Sequence, residues 1–378
     1  MRIAVDASAA LNQGAGIGRY ARALIPALAL GMPEAKITGI VAPDPAADPV
    51  VAALGRAALS DAGVAIRTLP ITRRRADQIW FRARAPIALE LATGPVDLVY
   101  SPDFTVPPAV ARRSIVTVHD LAFEVVPHYA PPGLRSYLTQ VVPRQARKAT
   151  RINAVSETTK HDLIERYGVE EEKIAIVPNG VELKYFEAAP LCDTARAELG
   201  IPHDYLLTVG TIEPRKNHLG IFEALNHSEA AKDLTLVVAG RRGWADEEIV
   251  EKLGELERAG RVIWLDYVPE EHLPGLYAGA IAVIYVSWYE GFGLPAIEAL
   301  AAGAPLVAST APSLIEIAEG VADFADPSDP ESIGNAIDRA VASGRSAGAI
   351  EARQRRARRF TWSAAGEALV RSVRDAGC

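Results

Sequence analysis

Cysteine and long apolar runs are scarce in this sequence. Only two cysteines occur among 378 residues, Cys192 and Cys378, which is too few for a disulfide scaffold or a thiolate metal site. The seven histidines show no metal-ligand spacing. No apolar run approaches the roughly 20 residues that cross a membrane, and the first residues follow a strand pattern rather than that of a signal peptide. We therefore expect a cytoplasmic protein.

Positive charge is also in deficit, which limits the possible partners. Lysine and arginine number 40 against 47 acidic residues, giving a net charge of -7. With this balance, and without aromatic residues interleaved among the arginines, we expect no nucleic acid partner. One basic segment, ITRRRADQIWFRARAP, carries five arginines beside Trp80 and Phe81. It predicts either a solvated helix face or a peripheral contact with an anionic membrane.

Short apolar runs alternate with helix-period segments along the whole chain, which is typical of parallel sheets covered by helices. The predicted strands are RIAVDA, ITGIVA, VAIRTL, DLVYS, SIVTVHD, RINAVS and KIAIVP in the first half, and YLLTVG, LTLVVAG, RVIWLDY, AVIYVS, PLVAS and VADFAD in the second. A turn signal, PNG at 178–180, lies between the two series. We predict an α/β protein of two Rossmann-like domains, 1–183 and 184–359, with a helix at 360–378 that returns to the first domain.

Ligands of open α/β sheets bind beyond the carboxyl ends of the strands, and two loops there are candidates for anion binding. NQGAGIGRY places Gly14, Gly16 and Gly18 between a strand and a helix, where backbone N–H groups can approach an anion closely. A tight turn without a ligand fits this spacing as well. In VGTIEPRKNH, Arg215 and Lys216 precede a helix, which suits a diphosphate. A solvated basic loop is the alternative.

Two further segments follow predicted strands. HDLAFEVVP places His119 at a strand end, where a structural histidine is the more common explanation. EGFGLPAIEAL sets Glu290 and Glu298 eight positions apart around a helix start, with Pro295 suited to the first helical position and Gly303 to the C-terminal end. The two acids are either partners of the helix dipole or acceptors for the paired hydroxyls of a sugar or a ribose.

In combination these segments resemble the family-4 glycosyltransferases, retaining enzymes of the GT-B fold. The resemblance rests on GAGIGRY, HDL, NAVSETTKHDL, IVPNGV, VGTIEPRKN, VVAG and above all EGFGLPAIEALAAGAPLVAS, and it spans nearly the whole chain. It implies two Rossmann-like domains that face each other across a deep cleft, the first on the acceptor side and the second on the donor side. GIGRY with HDL is most similar to the branch that uses GDP-mannose.

The resemblance also implies roles for individual residues. It places Glu290 on the donor sugar, Glu298 on the ribose, and Arg215 with Lys216 on the diphosphate. The other implied positions are Gly16, Gly210, Phe292, Gly293 and Leu294 for donor binding, and His119 near the sugar and acceptor. The implied catalytic set is His119, Arg215, Lys216 and Glu290.

By the same resemblance, the acceptor hydroxyl attacks the front face of the sugar and the leaving phosphate helps to remove its proton. No D-x-D triplet occurs in the chain, which removes the usual carboxylate metal site of the GT-A fold. We therefore expect no metal and no other cofactor. The expected partners are a nucleotide sugar, linked to GDP or UDP, and a glycan or lipid-linked saccharide acceptor.

Other functions remain compatible with the sequence. A nicotinamide enzyme could use the glycine loop with Asp44, which follows the second strand, although the spacing is G-x-G-x-G rather than G-x-G-x-x-G. A related epimerase or phosphorylase is a further alternative, and for the phosphorylase no pyridoxal lysine is identifiable. A catalytically silent nucleotide-sugar-binding protein would keep the same motifs, and only turnover would separate it from an enzyme.

Overall fold

The computed structural model describes residues 1–244 and 247–377, in which two parallel sheets carry the fold. The strands are β1 (Arg2–Asp6), β2 (Lys36–Val41), β3 (Ala65–Thr68), β4 (Leu98–Ser101), β5 (Arg113–Val118), β6 (Arg151–Ala154), β7 (Ile174–Ile176), β8 (Tyr205–Val209), β9 (Thr235–Ala239), β10 (Val262–Leu265), β11 (Ala282–Tyr285), β12 (Leu306–Ser309) and β13 (Asp323–Ala325). Every apolar run that predicts a strand is a strand in the structure, so this part of the prediction is confirmed.

Helices connect the strands. They are α1 (Ser8–Asn12), α2 (Gly16–Gly31), α3 (Pro49–Asp61), α4 (Arg73–Asp77), α5 (Glu90–Thr93), α6 (Ala122–Val125), α7 (Pro132–Lys148), α8 (Glu157–Tyr167), α9 (Leu183–Phe186), α10 (Asp193–Leu199), α11 (His218–Ala224), α12 (Glu247–Arg258), α13 (Leu273–Gly279), α14 (Leu294–Ala301), α15 (Pro312–Ala318), α16 (Pro330–Ser343), α17 (Ala347–Ala357) and α18 (Trp362–Gly377). A π-helical turn at Gln78–Arg82 continues α4, and a 3₁₀ turn at Pro214–Lys216 precedes α11. Within the described residues, no helix is both long and apolar enough to cross a bilayer.

Each sheet has the strand order of a doubly wound fold. The first sheet has the order β3-β2-β1-β4-β5-β6-β7 and the second β10-β9-β8-β11-β12-β13, and the paired strands are parallel throughout. In such sheets the order reverses at one point, where the loops leaving two adjacent strands diverge and open a crevice for ligands. These points are β1/β4 in the first sheet and β8/β11 in the second. The loops that follow β1, β4, β8 and β11 are therefore candidate ligand-binding loops.

Contacts divide the chain into two compact units. The first unit contains Met1–Leu121, Pro132–Gly180 and the chain from Trp362 onwards; the second contains Ala122–Pro131 and Val181–Thr361. The division at Gly180 lies three residues before the boundary predicted at 183, and α18 is grouped with the first unit. The sequence did not anticipate that Ala122–Pro131 is grouped with the second unit.

The segment Ala122–Pro131 is fixed in the second unit by an aromatic contact and a hydrogen bond. The ring of Tyr129 stacks on Trp288 with 6.0 Å between centroids, and Trp244 Nε1 donates to the Tyr129 carbonyl at 3.1 Å. Helix α18 is fixed in the first unit by close packing on α2, because a side chain at Gly31 would come within 2.6 Å of Val370.

Candidate active site

The candidate site of the second unit lies where its strand order reverses. The carboxyl ends of β8 and β11 are adjacent, and the loops that follow them carry the VGTIEPRKN and EGFGLP motifs. A backbone hydrogen bond ties the two loops together, because Trp288 N donates to the Arg215 carbonyl at 3.0 Å. The fold therefore brings together two motifs that lie more than 70 residues apart in the sequence.

Arg215, Lys216 and Glu290 form one ion-pair network. Arg215 Nη1 lies 2.9 Å from Glu290 Oε2, and Lys216 Nζ lies 2.6 Å from Glu290 Oε1. Glu213 Oε1 accepts from Arg215 Nη2 at 2.6 Å. Tyr285 completes the network, accepting from Lys216 Nζ at 2.7 Å and donating to Glu290 Oε1 at 2.8 Å. Two cations and two carboxylates thus converge at this crevice.

Local backbone geometry places the two cations. They end the 3₁₀ turn Pro214–Lys216, and the next residue, Asn217, has φ of 59°. Asparagine tolerates this left-handed conformation better than most residues do. Its side-chain amide donates to the carbonyls of Val286 at 3.3 Å and Pro327 at 2.8 Å. This buried asparagine therefore turns the chain from the cation pair into α11 and fastens the turn to the loop after β11.

Burial and charge act against each other on the acids of the network. Burial alone would raise the pKa of Glu290, but the charges of Arg215 and Lys216 outweigh it and lower the pKa to about 2. At Glu213, burial prevails over the same two cations and raises the pKa. Burial also lowers the pKa of Lys216, against the attraction of Glu290. Glu290 is therefore ionised at neutral pH, and both of its oxygens face cations.

Three members of this site were missed by the motif analysis: Glu213, Tyr285 and His218. Each lies within or beside a motif, since Glu213 precedes the cation pair, His218 follows it, and Tyr285 ends β11. Burial, followed by the charge of Lys216, lowers the pKa of His218 to about 4, so its imidazole is neutral at pH 7. The sequence signal for all three was their position at a strand end or helix start beside a recognised charge.

The EGFGLP turn leads directly into α14. Gly293 precedes the helix with φ of 114°, and a Cβ there would come within 2.5 Å of Leu314, so only glycine fits without rearrangement. The helix begins at Leu294, which places Pro295 second rather than first. The residue before the helix, Gly293, has no side chain that could accept from the N–H groups of the first turn.

Glu298 lies further along α14 and is 2% exposed. Its Oε2 accepts from the hydroxyl of Tyr277 at 2.9 Å. Gly303, just beyond the helix, has φ of 69°, as the C-terminal glycine of a helix commonly does. Gly210 follows β8 with φ of 150°, and a Cβ on the facing Gly240 would come within 1.9 Å of the Gly210 carbonyl. The donor-binding role of these positions stays a prediction.

The first unit holds the two remaining predicted positions. His119 follows β5 and is buried, its Nε2 lies 2.7 Å from the Pro102 carbonyl, and its ring meets that of Tyr20 edge-on with 4.9 Å between centroids. Burial lowers its pKa, although the bond to Pro102 opposes this. Gly16 is the first residue of α2, and Ala15 before it offers no side-chain acceptor to the first turn. Gly18 is the most closely packed of the three loop glycines, because a Cβ there would come within 1.7 Å of the Gln13 carbonyl.

The first unit also contains a polar cluster that the sequence analysis did not identify. Arg73 lies 3.1 Å from both Asp6 and Asp77 and 3.9 Å from Asp103. Asp6 and Asp103 stand at the carboxyl ends of β1 and β4, the point where the first sheet reverses its strand order. Their positions at neighbouring strand ends were the available signal. In the described residues, no group of three or more His, Cys, Asp or Glu side chains is arranged to hold a metal ion.

The two domains and their loop motifs define the class of the protein. Residues 15–185 match the family model "Glycosyltransferase Family 4", and residues 193–358 match "Glycosyl transferases group 1". The two matches together span most of the chain, and the chain belongs to family 4 of the glycosyltransferases. The prediction of a glycosyltransferase of this family is thereby confirmed.

Two curated relatives of the chain are O-antigen chain mannosyltransferases. The chain is 32% identical over 242 residues to O-antigen chain mannosyltransferase B of Escherichia coli, covering 63% of each protein. It is 27% identical over 290 residues to O-antigen chain mannosyltransferase RfbU of Salmonella typhimurium, covering 75% of this chain and 76% of the relative. The alignment to the first of these relatives thus leaves more than a third of its length unmatched.

Solved structures agree with the fold. HepE of Anabaena in complex with UDP and glucose has a TM-score of 0.71 at 18% identity, with 99% of each chain covered. WaaG, described as a glycosyltransferase involved in lipopolysaccharide biosynthesis, has a TM-score of 0.70 at 16% identity, with 98% of each chain covered. The predicted α/β fold class, two Rossmann-like domains of the GT-B type, is confirmed.

Proposed function

We propose that this protein transfers a mannosyl group from GDP-mannose to a hydroxyl of a glycan or lipid-linked saccharide, with retention of configuration and without a metal. The observation that carries the proposal is the buried network of Arg215, Lys216 and Glu290 at the strand-order reversal of the second sheet. The mannosyltransferase relatives favour mannose as the sugar. A cytoplasmic location belongs to the proposal and fits the low cysteine content.

Charge at this site suits the departure of a diphosphate. When the bond between the sugar and the β-phosphate breaks, negative charge develops on the leaving oxygens, and fixed cations stabilise that charge more than they stabilise the bound donor. Arg215 and Lys216 are both about 15% exposed in their side chains, so the surrounding solvent screens them little. Their charges take the place that a divalent metal has in other nucleotide-sugar sites.

Glu290 has two tasks in this proposal. Before the donor binds, it neutralises the cations; when the diphosphate arrives, the phosphate oxygens share Arg215 and Lys216 with it. Each carboxylate oxygen can accept more than one hydrogen bond, so Glu290 can then accept from hydroxyls of the donor sugar while it still contacts the cations. Tyr285 helps to hold the carboxylate in place by donating to the same oxygen that Lys216 contacts.

The reaction needs no protein base in this scheme. The acceptor oxygen forms a bond to the anomeric carbon on the face that the diphosphate leaves, and the acceptor proton passes to the departing phosphate oxygen. His119, neutral and buried in the first unit, is proposed to contact the sugar and acceptor rather than to carry that proton.

A UDP-hexose donor is the second candidate, because the solved structures of HepE contain UDP and UDP-glucose. A catalytically silent binding protein is the alternative from another class. Calorimetric binding of GDP, UDP, ADP and dTDP, each with EDTA present, separates the donors. A ligand at a hundred times its dissociation constant raises stability by about 2.7 kcal/mol, which a thermal shift also detects.

Two variants complete this experiment. Arg215→Ala is expected to lose most of the nucleotide affinity, whereas Arg355→Ala, which removes an exposed arginine on α17 of the same unit, is expected to keep it. Transfer of radiolabelled mannose from GDP-mannose to membrane-extracted saccharides then tests turnover. Binding of no nucleotide would refute the proposed function, and binding without transfer to any acceptor fraction would favour the silent protein.

A further inference from the structure

The first unit contains a cavity of about 360 Å³, and none of its lining residues belongs to the candidate site. It is bounded by the π-helical turn, the loop between β4 and β5, and the last turns of α7. Ser114, near the start of β5, and Ala149, just before β6, also line it. The cavity therefore lies towards the amino ends of β5 and β6, whereas Asp6, Asp103 and His119 lie at the carboxyl ends of β1, β4 and β5.

The charged side chains that line this cavity are all positive. Arg84, Arg144 and Lys148 line it, and no Asp or Glu does. Among the described residues, no carboxylate forms an ion pair with any of these three, and their side chains make no hydrogen bond to the protein. Three cations at one cavity without a counter-ion repel one another, and an anionic ligand would relieve that repulsion.

The backbone of Arg84 is strained. Its φ is 57°, a left-handed conformation that glycine adopts freely and that is unfavourable for other residues. Hydrogen bonds on either side hold it there, since Ala83 N donates to the Gln78 carbonyl at 2.8 Å and Ala85 N to the Ile79 carbonyl at 2.9 Å. The chain thus presents an arginine at a position where glycine would be the easier choice.

The rest of the cavity and its surroundings are apolar. Phe81, Val106 and Val141 form part of the lining. Beside it, Leu91 is 83% exposed and Val110 75% exposed, and both line a second depression that shares Ala111 with the cavity. Exposed apolar side chains that adjoin one another mark a binding surface more often than isolated ones do.

Hydrogen bonds hold the walls of the cavity in place. The Glu90 carboxylate accepts from Val110 N at 2.9 Å and from Ala111 N at 2.8 Å, and Gln145 Oε1 accepts from Val106 N at 3.3 Å. Because these bonds fix the loop between β4 and β5 without a ligand, little ordering cost would remain for binding.

We propose that this cavity binds a single amphiphile that carries a phosphate group next to a hydrocarbon chain. The phosphate lies against Arg84, Arg144 and Lys148, and the first carbons of the chain lie on the apolar lining and on Leu91 and Val110. The site is separate from the proposed donor site, and its test needs no glycosyl transfer, so it stands or fails independently of the proposed function.

Isothermal titration of the full chain with octyl phosphate, below its micellar concentration, tests the proposal. We expect saturable binding that is at least tenfold tighter than that of inorganic phosphate, with octanol not binding measurably. Lys148→Gln and Arg144→Gln are each expected to weaken binding by about tenfold, because each removes a charge-assisted hydrogen bond. Arg56→Gln, on an exposed face of α3, is the matched control and should change nothing.

Arg84→Gly tests whether weaker binding of octyl phosphate in a cavity variant results from a loss of folding. Glycine relieves the left-handed backbone, so this variant should unfold at the same or a higher temperature than the parent while binding octyl phosphate more weakly. Equal affinity for octyl phosphate and inorganic phosphate, or unchanged binding in all three cavity variants, would overturn the proposal. Binding to phosphatidylglycerol vesicles, but not to dispersed octyl phosphate, would overturn it in favour of a contact with a membrane surface.

Discussion

Replacing Glu290 by glutamine should destabilise the free protein and tighten nucleoside diphosphate binding at the same time. The carboxylate neutralises Arg215 and Lys216 when no donor is present, and the same two cations are proposed to hold the diphosphate. Glutamine keeps the size of the side chain but removes its charge. The free protein then loses a group that stabilises it, and the diphosphate no longer competes with a carboxylate for the two cations.

The stability loss follows from the titration of Glu290. Its pKa falls from an ordinary value of 4.5 to about 2 because of the two cations, and each pKa unit corresponds to about 1.4 kcal/mol. The carboxylate therefore contributes about 3 kcal/mol at neutral pH, similar to the loss seen when one partner of a buried ion pair is removed. Freeing two cations for charge-assisted bonds should tighten GDP binding by about tenfold or more.

Urea unfolding at pH 7, followed by tryptophan fluorescence with and without GDP, measures both effects. Glu351→Gln is the control, since Glu351 and Arg355 form an exposed pair 3.8 Å apart whose loss should cost less than about 1 kcal/mol. Mannosyl transfer should fall in Glu290→Gln even though GDP binds more tightly. An unchanged unfolding midpoint would refute the argument from the ion pairs, and weaker GDP binding would refute the competition.

Four further outcomes are expected. The free energy of unfolding of the parent should decrease as the pH falls from about 4.5 towards 2, because the unfolded chain takes up its proton at the higher pH, and in Glu290→Gln this decrease should be smaller by the same 3 kcal/mol. Arg215→Ala should lower kcat/KM by an amount that corresponds to about 3 kcal/mol of lost transition-state stabilisation, and near-parental kinetics would contradict the diphosphate site. Transfer by the parent should continue in EDTA, and a loss of activity that Mg²⁺ restores would contradict the metal-free site. Gly18→Ala should destabilise the protein by more than about 1 kcal/mol in thermal unfolding, because its Cβ would come within 1.7 Å of a carbonyl oxygen. Gly14→Ala is the control, since its Cβ would meet only a methyl group at 3.5 Å. Equal unfolding midpoints for the two variants would show that the loop can adjust.

The sheets could be predicted because their information is local. Strands of a parallel sheet are buried on both faces and read as short, nearly continuous apolar runs, such as TLVVA in β9. Turn residues bound each run, so its limits also show in the sequence. The helix start at Leu294 differed by one residue from the prediction, because Gly293 takes the left-handed conformation before it.

The candidate site was only partly predictable because its geometry depends on residues far apart in the chain. The motifs identified Arg215 and Glu290, but not that the two would form an ion pair 2.9 Å apart. Tyr285 looked like one more strand residue, and only the adjacent placement of β8 and β11 brings its hydroxyl to Lys216. Arg73 was assigned to a solvated face or a membrane contact, whereas it is surrounded by aspartates from three different segments.

Synthesis of the first unit begins before that of the second unit, but the first unit is completed only after the second. Helix α18, which packs on α2 and donates a bond of 2.6 Å from Ser372 to Asn153 of β6, is made after the whole second unit. The first unit therefore leaves the ribosome with a groove open along α2 and β6, and it stays open until residues 362–377 emerge. A domain that begins first and closes last exposes apolar surface throughout translation, so a stalled or shortened product ending before Trp362 would be a natural client for chaperones and proteases.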